Sequence, residues 1–325
     1  MNMRGSIVQN NKLIKDIERV NKLDSCYLPH PKVRHAMNVI EESILLSASS
    51  TEPQNVVISG NAGTGKTTIC NAIVKRRKRE FITKKGKQIT RVPAFYCLTP
   101  SPATIKSLAS TMLKALGEPV PKNGTRSDLT HRLGVLLKEC ETEVILLDEL
   151  QHILVKETYS VEQEVKNWLK TIINMFKVPI IAVGTPECRN VINGDSQLAR
   201  RFVMQCGLGN LDFGSDEKSE YRRFINGLAN ICIKELNFES FPDFRSRDNA
   251  LAVFISTGGN PSDTTQLFKK AARIALSDKR ETVELKDFEQ AIDSLVLPNF
   301  LKKLDSSGNP FRLSQAELDR AYSNI

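Results

Sequence analysis

The stretch SGNAGTGKTT, residues 59–68, follows the apolar run Val56, Val57, Ile58 and leads into Ile69–Val74, a segment of helical composition. Gly60, four intervening residues and then Gly65-Lys66-Thr67 complete a phosphate-loop pattern in its strand-to-helix setting. Glycines let successive backbone N–H groups converge on phosphate oxygens, and the helix that follows offers a partial positive charge at its N-terminus. Gly60, Asn61, Ala62, Gly63, Thr64, Gly65, Lys66, Thr67 and Thr68 are therefore assigned to a nucleotide, expected to be ATP. Lys66 is expected to reach the β- and γ-phosphates, and the Thr67 hydroxyl to bind Mg²⁺. The pattern alone does not say what the nucleotide is for, because kinases, motors, switches and nucleic-acid ATPases share it.

Outward from this loop, apolar runs alternate with helical segments, which predicts a parallel α/β sheet with crossover helices. Strands are expected near 54–59, 93–98, 143–148 and 179–184, with a fifth near 203–208, and helices at 65–79, 102–116, 127–140 and 161–176. After about residue 215 the pattern becomes wholly helical, at 217–236, 246–256, 262–277 and 284–295. The expected organisation is a helical approach segment (1–53), an α/β nucleotide-binding core (54–215), a small helical lid (216–297) and a turn-rich tail (298–325). A capping box at Ser314–Glu317 gives the tail one short helix, which either packs on the body or serves as a candidate partner-binding segment.

The strand Val144–Leu147 ends in Asp148-Glu149, at the sheet edge where such folds place ligands. Asp148 is expected to serve the Mg²⁺ opposite Thr67, and Glu149 to act as general base toward a water. The next strand ends at Gly184-Thr185-Pro186, where Thr185 either senses the γ-phosphate or caps a helix; the two roles are compatible. In Leu198-Ala199-Arg200-Arg201, an arginine reaches either a neighbouring protomer's γ-phosphate or surface carboxylates.

The chain has 325 residues, 40% hydrophobic and 26% charged, and no stretch of membrane-spanning length, so a cytoplasmic protein without a membrane partner is expected. Seven cysteines without a paired spacing, and four scattered histidines, favour neither disulfides nor a metal cluster. The net charge of +9 arises mostly from KRRKREFITKKGKQITR, residues 75–91, with nine Lys/Arg and one Glu. This run is either a surface for a polyanion or an ordinary solvated loop.

The stretches GNAGTGKT, ILLDE, VGT and ARRF, in this order and followed by a helical lid, resemble the AAA+ ATPases. The segment LTPSPATIKSLASTMLKALGEPV leading to LLDELQH (98–152), with VGTPECRNVI and LARRF, is similar to transposon-encoded AAA+ target-selection ATPases of the TnsC/TniB type. The likeness spans roughly residues 25–295. It implies assembly on double-stranded DNA as a homo-oligomeric ring or helical filament, and ATP hydrolysis between protomers. It also implies recruitment or activation of a transposase at the insertion site, and contact with a target-selecting factor, in some systems a guide-RNA complex. Carried over, Lys66, Glu149, Thr185 as sensor 1 and Arg201 as the better arginine finger form the catalytic set, with Thr67 and Asp148 on Mg²⁺. The DNA contacts fall on Lys122, Thr125 and Arg126, a turn that is otherwise an ordinary helix cap, and on Lys106. One departure is Gly258–Asp263, which carries no arginine where a sensor 2 would stand. A replication initiator or helicase loader is the alternative within AAA+; it would be expected to carry an appended winged-helix or helix-turn-helix domain, for which the stretch after residue 298 is too short. A small-molecule kinase does not account for the Asp-Glu pair or the LARRF arginines, and a nucleotide-gated scaffold in which hydrolysis is slow or dispensable stays open, to be decided by Glu149→Gln.

Overall fold

The structure is a computed structural model that describes residues 14–25, 28–84, 86–154, 159–216, 218–297 and 308–323. In chain order it contains α1 (14–21), α2 (Pro31–Ser49), β1 (Val56–Gly60), α3 (Lys66–Arg76), β2 (Glu80–Lys84), β3 (Lys87–Arg91), β4 (Ala94–Leu98) and α4 (Ile105–Leu116). There follow α5 (Arg126–Glu139), β5 (Val144–Asp148), α6 (Tyr159–Phe176), β6 (Ile180–Gly184), α7 (Cys188–Asn193), α8 (Ser196–Ala199) and β7 (Met204–Leu208). The last helices are α9 (Glu220–Lys234), α10 (Arg247–Thr257), α11 (Pro261–Ser277), α12 (Leu285–Ser294) and α13 (Gln315–Ser323). Internal contacts divide the chain into an α/β unit, Lys32–Leu208, and a helical unit, Met1–Pro31 with Gly209–Ile325. The segment 1–53, expected as one approach, is thus shared between them.

In the α/β unit five parallel strands lie in the order β4-β5-β6-β1-β7. The strands VVISG, VILLD and IIAVG are buried at every position, as central parallel strands covered on both faces must be. Asn55, fully buried just before β1, ties the start of that strand to β6 and to the turn ahead of β7: its Oδ1 accepts from Ile180 N at 2.8 Å and its Nδ2 donates to Arg201 O at 2.9 Å. The helix α4 shows how the crossovers form. Thr104 caps its start by accepting from Ser107 N, apolar Leu108, Met112, Leu113 and Leu116 recur at helical spacing, and Gly117 ends it at φ 104°. Those four side chains are almost wholly buried, each contributing on the order of 2 kcal/mol of apolar transfer free energy.

The five expected strands are all present. The basic run differs from the expected continuation of a helix: α3 stops at Arg76, and residues 80–91 form an antiparallel hairpin, β2 with β3. The physical signal was present as Ile82-Thr83 and Ile89-Thr90, β-branched pairs on either side of Gly86, which sits at φ 75°. Carboxylates meet part of the charge: Arg77 pairs with Glu41 and Glu143, Lys84 with Glu141, and Arg91 with Glu80, Glu141 and Glu143. Lys85 lies outside the described residues.

The helical unit is built on aromatic side chains. Phe244, Phe268 and Phe288 are fully buried with ring centroids 5.0–5.3 Å apart. The Tyr221 hydroxyl lies 2.9 Å from Thr257 Oγ1 and 3.2 Å from Thr264 Oγ1, and burial pushes it well above the ordinary tyrosine range. Asp287, 0% exposed, accepts from Arg280 at 2.5 and 3.0 Å. Of the expected tail, 298–307 lies outside the described residues. Residues 308–323 belong to this unit's core: Leu318 is 4% exposed, Tyr322 packs on Phe213 and Phe254, and Asn309 donates to Glu289 O and Asp293. Among the described residues no helix is long and apolar enough to cross a membrane.

Candidate nucleotide site

The site lies at the C-terminal ends of β1, β5 and β6, which the parallel sheet places side by side. At the end of β1 the chain must turn hard over β7. A Cβ on Gly60 would stand 2.5 Å from Leu208 O and 2.7 Å from Thr64 Oγ1, so only glycine fits. Gly63 and Gly65 sit at φ 77° and 93°, the left-handed conformation that glycine adopts at least cost. Asn61, Ala62, Gly63 and Thr68 are exposed around the loop, and Thr64 Oγ1 donates to Asn61 O at 2.8 Å. Lys66, 7% exposed, reaches back to donate to Gly60 O at 2.7 Å and Asn61 O at 2.9 Å.

Asp148 closes the β5 end. It is 1% exposed and accepts from Thr67 Oγ1 at 3.0 Å, Tyr96 Oη at 3.0 Å and Glu149 N at 2.8 Å. All three donors are neutral, and among the described residues this carboxylate has no ion-pair partner. A buried, unpaired carboxylate beside a threonine hydroxyl suits a divalent cation, which would supply the missing positive charge. The residues present therefore fit Mg²⁺. Burial and the Asp148 charge hold the Tyr96 hydroxyl above its ordinary range, so it acts as a proton-bearing donor. Tyr96 was not among the residues singled out in the sequence; a lone tyrosine in PAFYCL carries no motif.

Glu149 follows at φ 55°, partly exposed, at the start of a short 3-10 turn, Leu150–Leu154. Gln151 Nε2 donates to its Oε2, and His152 Nδ1 lies 3.0 Å from Thr99 O. Thr185 begins the β6–α7 turn with its N–H donating to Gln151 Oε1 at 3.2 Å. The N-cap of α7 is Glu187 rather than Thr185, whose buried hydroxyl has no hydrogen-bond partner among the described residues. Lys66, Thr67, Asp148, Glu149 and Thr185 thus stand on adjoining strand ends.

The two arginines of LARRF differ. Arg201, the better finger candidate by resemblance, donates to its own Gln197 O at 2.8 Å and to Asn174 Oδ1 at 3.2 Å. Arg200 is exposed, and its guanidinium has no partner among the described residues. Away from this edge, Lys106 and Lys122 come together, with Lys114 and Thr111, around a groove of about 560 Å³ between α4 and the turn that follows it. Thr125 and Arg126 do not join them: Thr125 forms a capping box with Asp128, and Arg126 pairs with Glu164 at 2.5 Å. In the helical unit, Gly258 ends α10 in the left-handed conformation and Asn260 caps α11, with no arginine between them.

A phosphate loop answered by Asp-Glu on another strand of this sheet order defines a P-loop NTPase of the AAA+ fold, and comparisons agree. The structure is similar to the Aeropyrum pernix ORC2 protein in its ADPNP–ADP complexes, with TM-score 0.60 and 17% identity over 84% of this chain and 71% of that chain. The A. pernix ORC1 protein in complex with DNA gives TM-score 0.56 and 16% identity, covering 82% of this chain and 66% of that one. The Thermotoga maritima RuvB branch-migration motor gives TM-score 0.50 and 12% identity over 81% and 68%. No curated protein matches the chain in sequence. The family profile described as "Bacterial TniB protein" matches residues 19–206, and the chain belongs to this family of transposon-encoded AAA+ ATPases.

Proposed function

We propose that the protein is an ATP-hydrolysing, DNA-binding regulator of transposition. It assembles on duplex target DNA, marks an insertion site, and engages transposase subunits and a target-selecting factor. The observation that carries this reading is the convergence of Lys66, Thr67, Asp148, Glu149 and Thr185 on adjoining strand ends in a chain of the TniB family.

In the proposed cycle the loop amides and Lys66 hold the β- and γ-phosphates, Lys66 exchanging its two carbonyl partners for phosphate oxygens. Thr67 directly, and Asp148 mainly through water, would hold Mg²⁺, which when bound neutralises phosphate charge. Glu149 takes the proton of a water attacking the γ-phosphorus in line, as the bond to the β–γ bridging oxygen breaks and ADP departs. Thr185 orients that water or the γ-phosphate. An arginine from a second copy completes the site; Arg200, exposed and without a partner among the described residues, is better disposed for this than Arg201.

The groove lysines Lys106 and Lys122, with Lys114 on the same groove, are proposed to meet the DNA backbone. Contacts of this kind give little sequence preference and a strong dependence on salt. Retention on random duplex DNA should require ATP and fall steeply with ionic strength, and each of Lys106→Ala and Lys122→Ala should lower the log-log salt slope by about 0.9. Salt-insensitive or strictly sequence-specific binding would sink the DNA reading. ATP turnover unchanged by duplex DNA would separate hydrolysis from it.

A further inference from the structure

One side chain at the nucleotide site has no role in the proposed cycle, yet it joins the two strand ends that carry the proposed base and sensor. Gln151 donates through Nε2 to Glu149 Oε2 and accepts through Oε1 from Thr185 N at 3.2 Å. Space has been cleared for it: a Cβ on Gly184 would stand 2.3 Å from Gln151 Oε1 and 2.9 Å from Cys188 Cβ. The turn that presents Gln151 is itself fixed, since Glu149 N donates to Asp148 Oδ1 at 2.8 Å and His152 Nδ1 lies 3.0 Å from Thr99 O, just past β4. Glu149 has left the extended conformation, at φ 55°, so the strand no longer dictates where its carboxylate goes. Gln151 supplies what the backbone does not.

We propose that Gln151 is the positioning residue of Glu149, holding the carboxylate against the Thr185 strand so that base and sensor keep one geometry. The inference rests on the reading of Glu149 as general base. The chemistry of the amide is specific to the task. It offers a donor to a carboxylate at one end and an acceptor to a backbone N–H at the other, both from one uncharged planar group. A glutamate in its place could still accept from Thr185 N but would face Glu149 with like charge. A methionine would keep the length and lose both bonds.

The test uses the full chain with duplex DNA and Mg-ATP, reading turnover, affinity for a fluorescent ATP analogue and thermal melting. Glu149→Gln, Gln151→Met, Gln151→Glu and the double variant Glu149→Gln/Gln151→Met are compared with wild type. Gln151→Met should lower turnover by roughly tenfold to a hundredfold, the range expected when a reacting group is misplaced by about an ångström, with nucleotide affinity within about twofold of wild type. Gln151→Glu should fall at least as far, although it keeps the Thr185 bond. The double variant should lose nothing beyond Glu149→Gln alone, since both changes disable one group.

Wild-type turnover in Gln151→Glu would overturn the proposal by showing that only the support of Thr185 matters. Faster turnover in Gln151→Met would overturn it by making the amide a restraint, and additive losses in the double variant would place Gln151 on another group. Gln151 variants that lose nucleotide affinity in step with turnover would also count against it. Wild-type turnover in Glu149→Gln would remove the base reading and this inference together. Active Gln151 variants beside an inactive Glu149→Gln would remove this inference only.

Discussion

Both units bury polar groups, and they use them differently. In the helical unit Asp287 is closed off by the Arg280 guanidinium, and the Tyr221 hydroxyl by two threonines. At these two groups, charge and hydrogen bonds are balanced from within the unit. In the α/β unit Asp148 is surrounded by neutral donors only, and Lys66 by carbonyls of its own loop. Each has its hydrogen bonds, but among the described residues neither forms an ion pair. A balanced buried group holds the fold together, whereas one left with its charge uncompensated implies something still to arrive. Substitutions should therefore separate: those in the helical unit should cost stability and spare nucleotide affinity, and those at the strand ends should do the reverse.

The largest expected effect is on the helical side. Phe268 is fully buried, with ring centroids 5.0 Å from Phe288, 5.2 Å from Phe244 and 5.9 Å from Phe241. Phe268→Ala should destabilise that unit by about 3–5 kcal/mol in chemical denaturation, because a cavity replaces a packed ring. Nucleotide affinity should be preserved in the protein that remains folded. A stability loss below about 1 kcal/mol would show that this cluster does not hold the unit together.

Next comes the opposite case. Glu149→Gln keeps shape and removes the base, so ATP turnover should drop by at least about a hundredfold, roughly 2.7 kcal/mol of barrier. Melting should move little, and ATP-bound assemblies should accumulate on DNA, visible by electron microscopy. Lys66→Ala should abolish assembly instead. A third effect is smaller: Tyr96→Phe removes one of the three donors on Asp148. The Mg²⁺ concentration that supports tight binding of a fluorescent ATP analogue should rise by up to about tenfold, with Mg²⁺-free binding unchanged. An unchanged Mg²⁺ requirement would reduce Tyr96 to packing.

These cases also show which parts could be read from sequence. The phosphate loop and the Asp-Glu strand were legible because their roles need fixed residue types at fixed local spacing, and the three central strands because fully buried parallel strands are continuous apolar runs. Tyr96 and Gln151 were not, since each acts across the sheet on a residue whose neighbourhood only the strand order creates. The Lys122–Arg126 turn was ambiguous for the same reason. Folding placed Lys122 on the same groove as Lys106, but committed Thr125 to its helix cap. The hairpin 80–91 was hidden by its charge: a run of lysines and arginines draws attention to partners, while the β-branched pairs that form the strands sit between them.

The smallest effect tests whether that basic region is braced from within. Glu41 on α2 accepts from the Arg77 guanidinium at 2.5 and 2.9 Å, and this bond, more than any other influence, holds its carboxyl below the ordinary value of 4.5. A carboxyl lowered by folding stabilises the native state fully above its unfolded value, and that contribution is lost as pH falls through the folded one. Stability should therefore decline in acid, from about pH 4.5 downward, more steeply in wild type than in Glu41→Gln. The pair is partly open to solvent, with Glu41 30% and Arg77 19% exposed, so the difference should stay below about 1 kcal/mol and shrink in high salt. Only the difference between the two proteins is diagnostic, because Glu141 and Asp195 in the same unit are also lowered and add acid sensitivity of their own. Parallel stability curves for the two proteins between pH 5 and 3, measured by chemical denaturation, would mean that Arg77 finds an equal partner in Glu143, which its Nε already reaches at 3.3 Å.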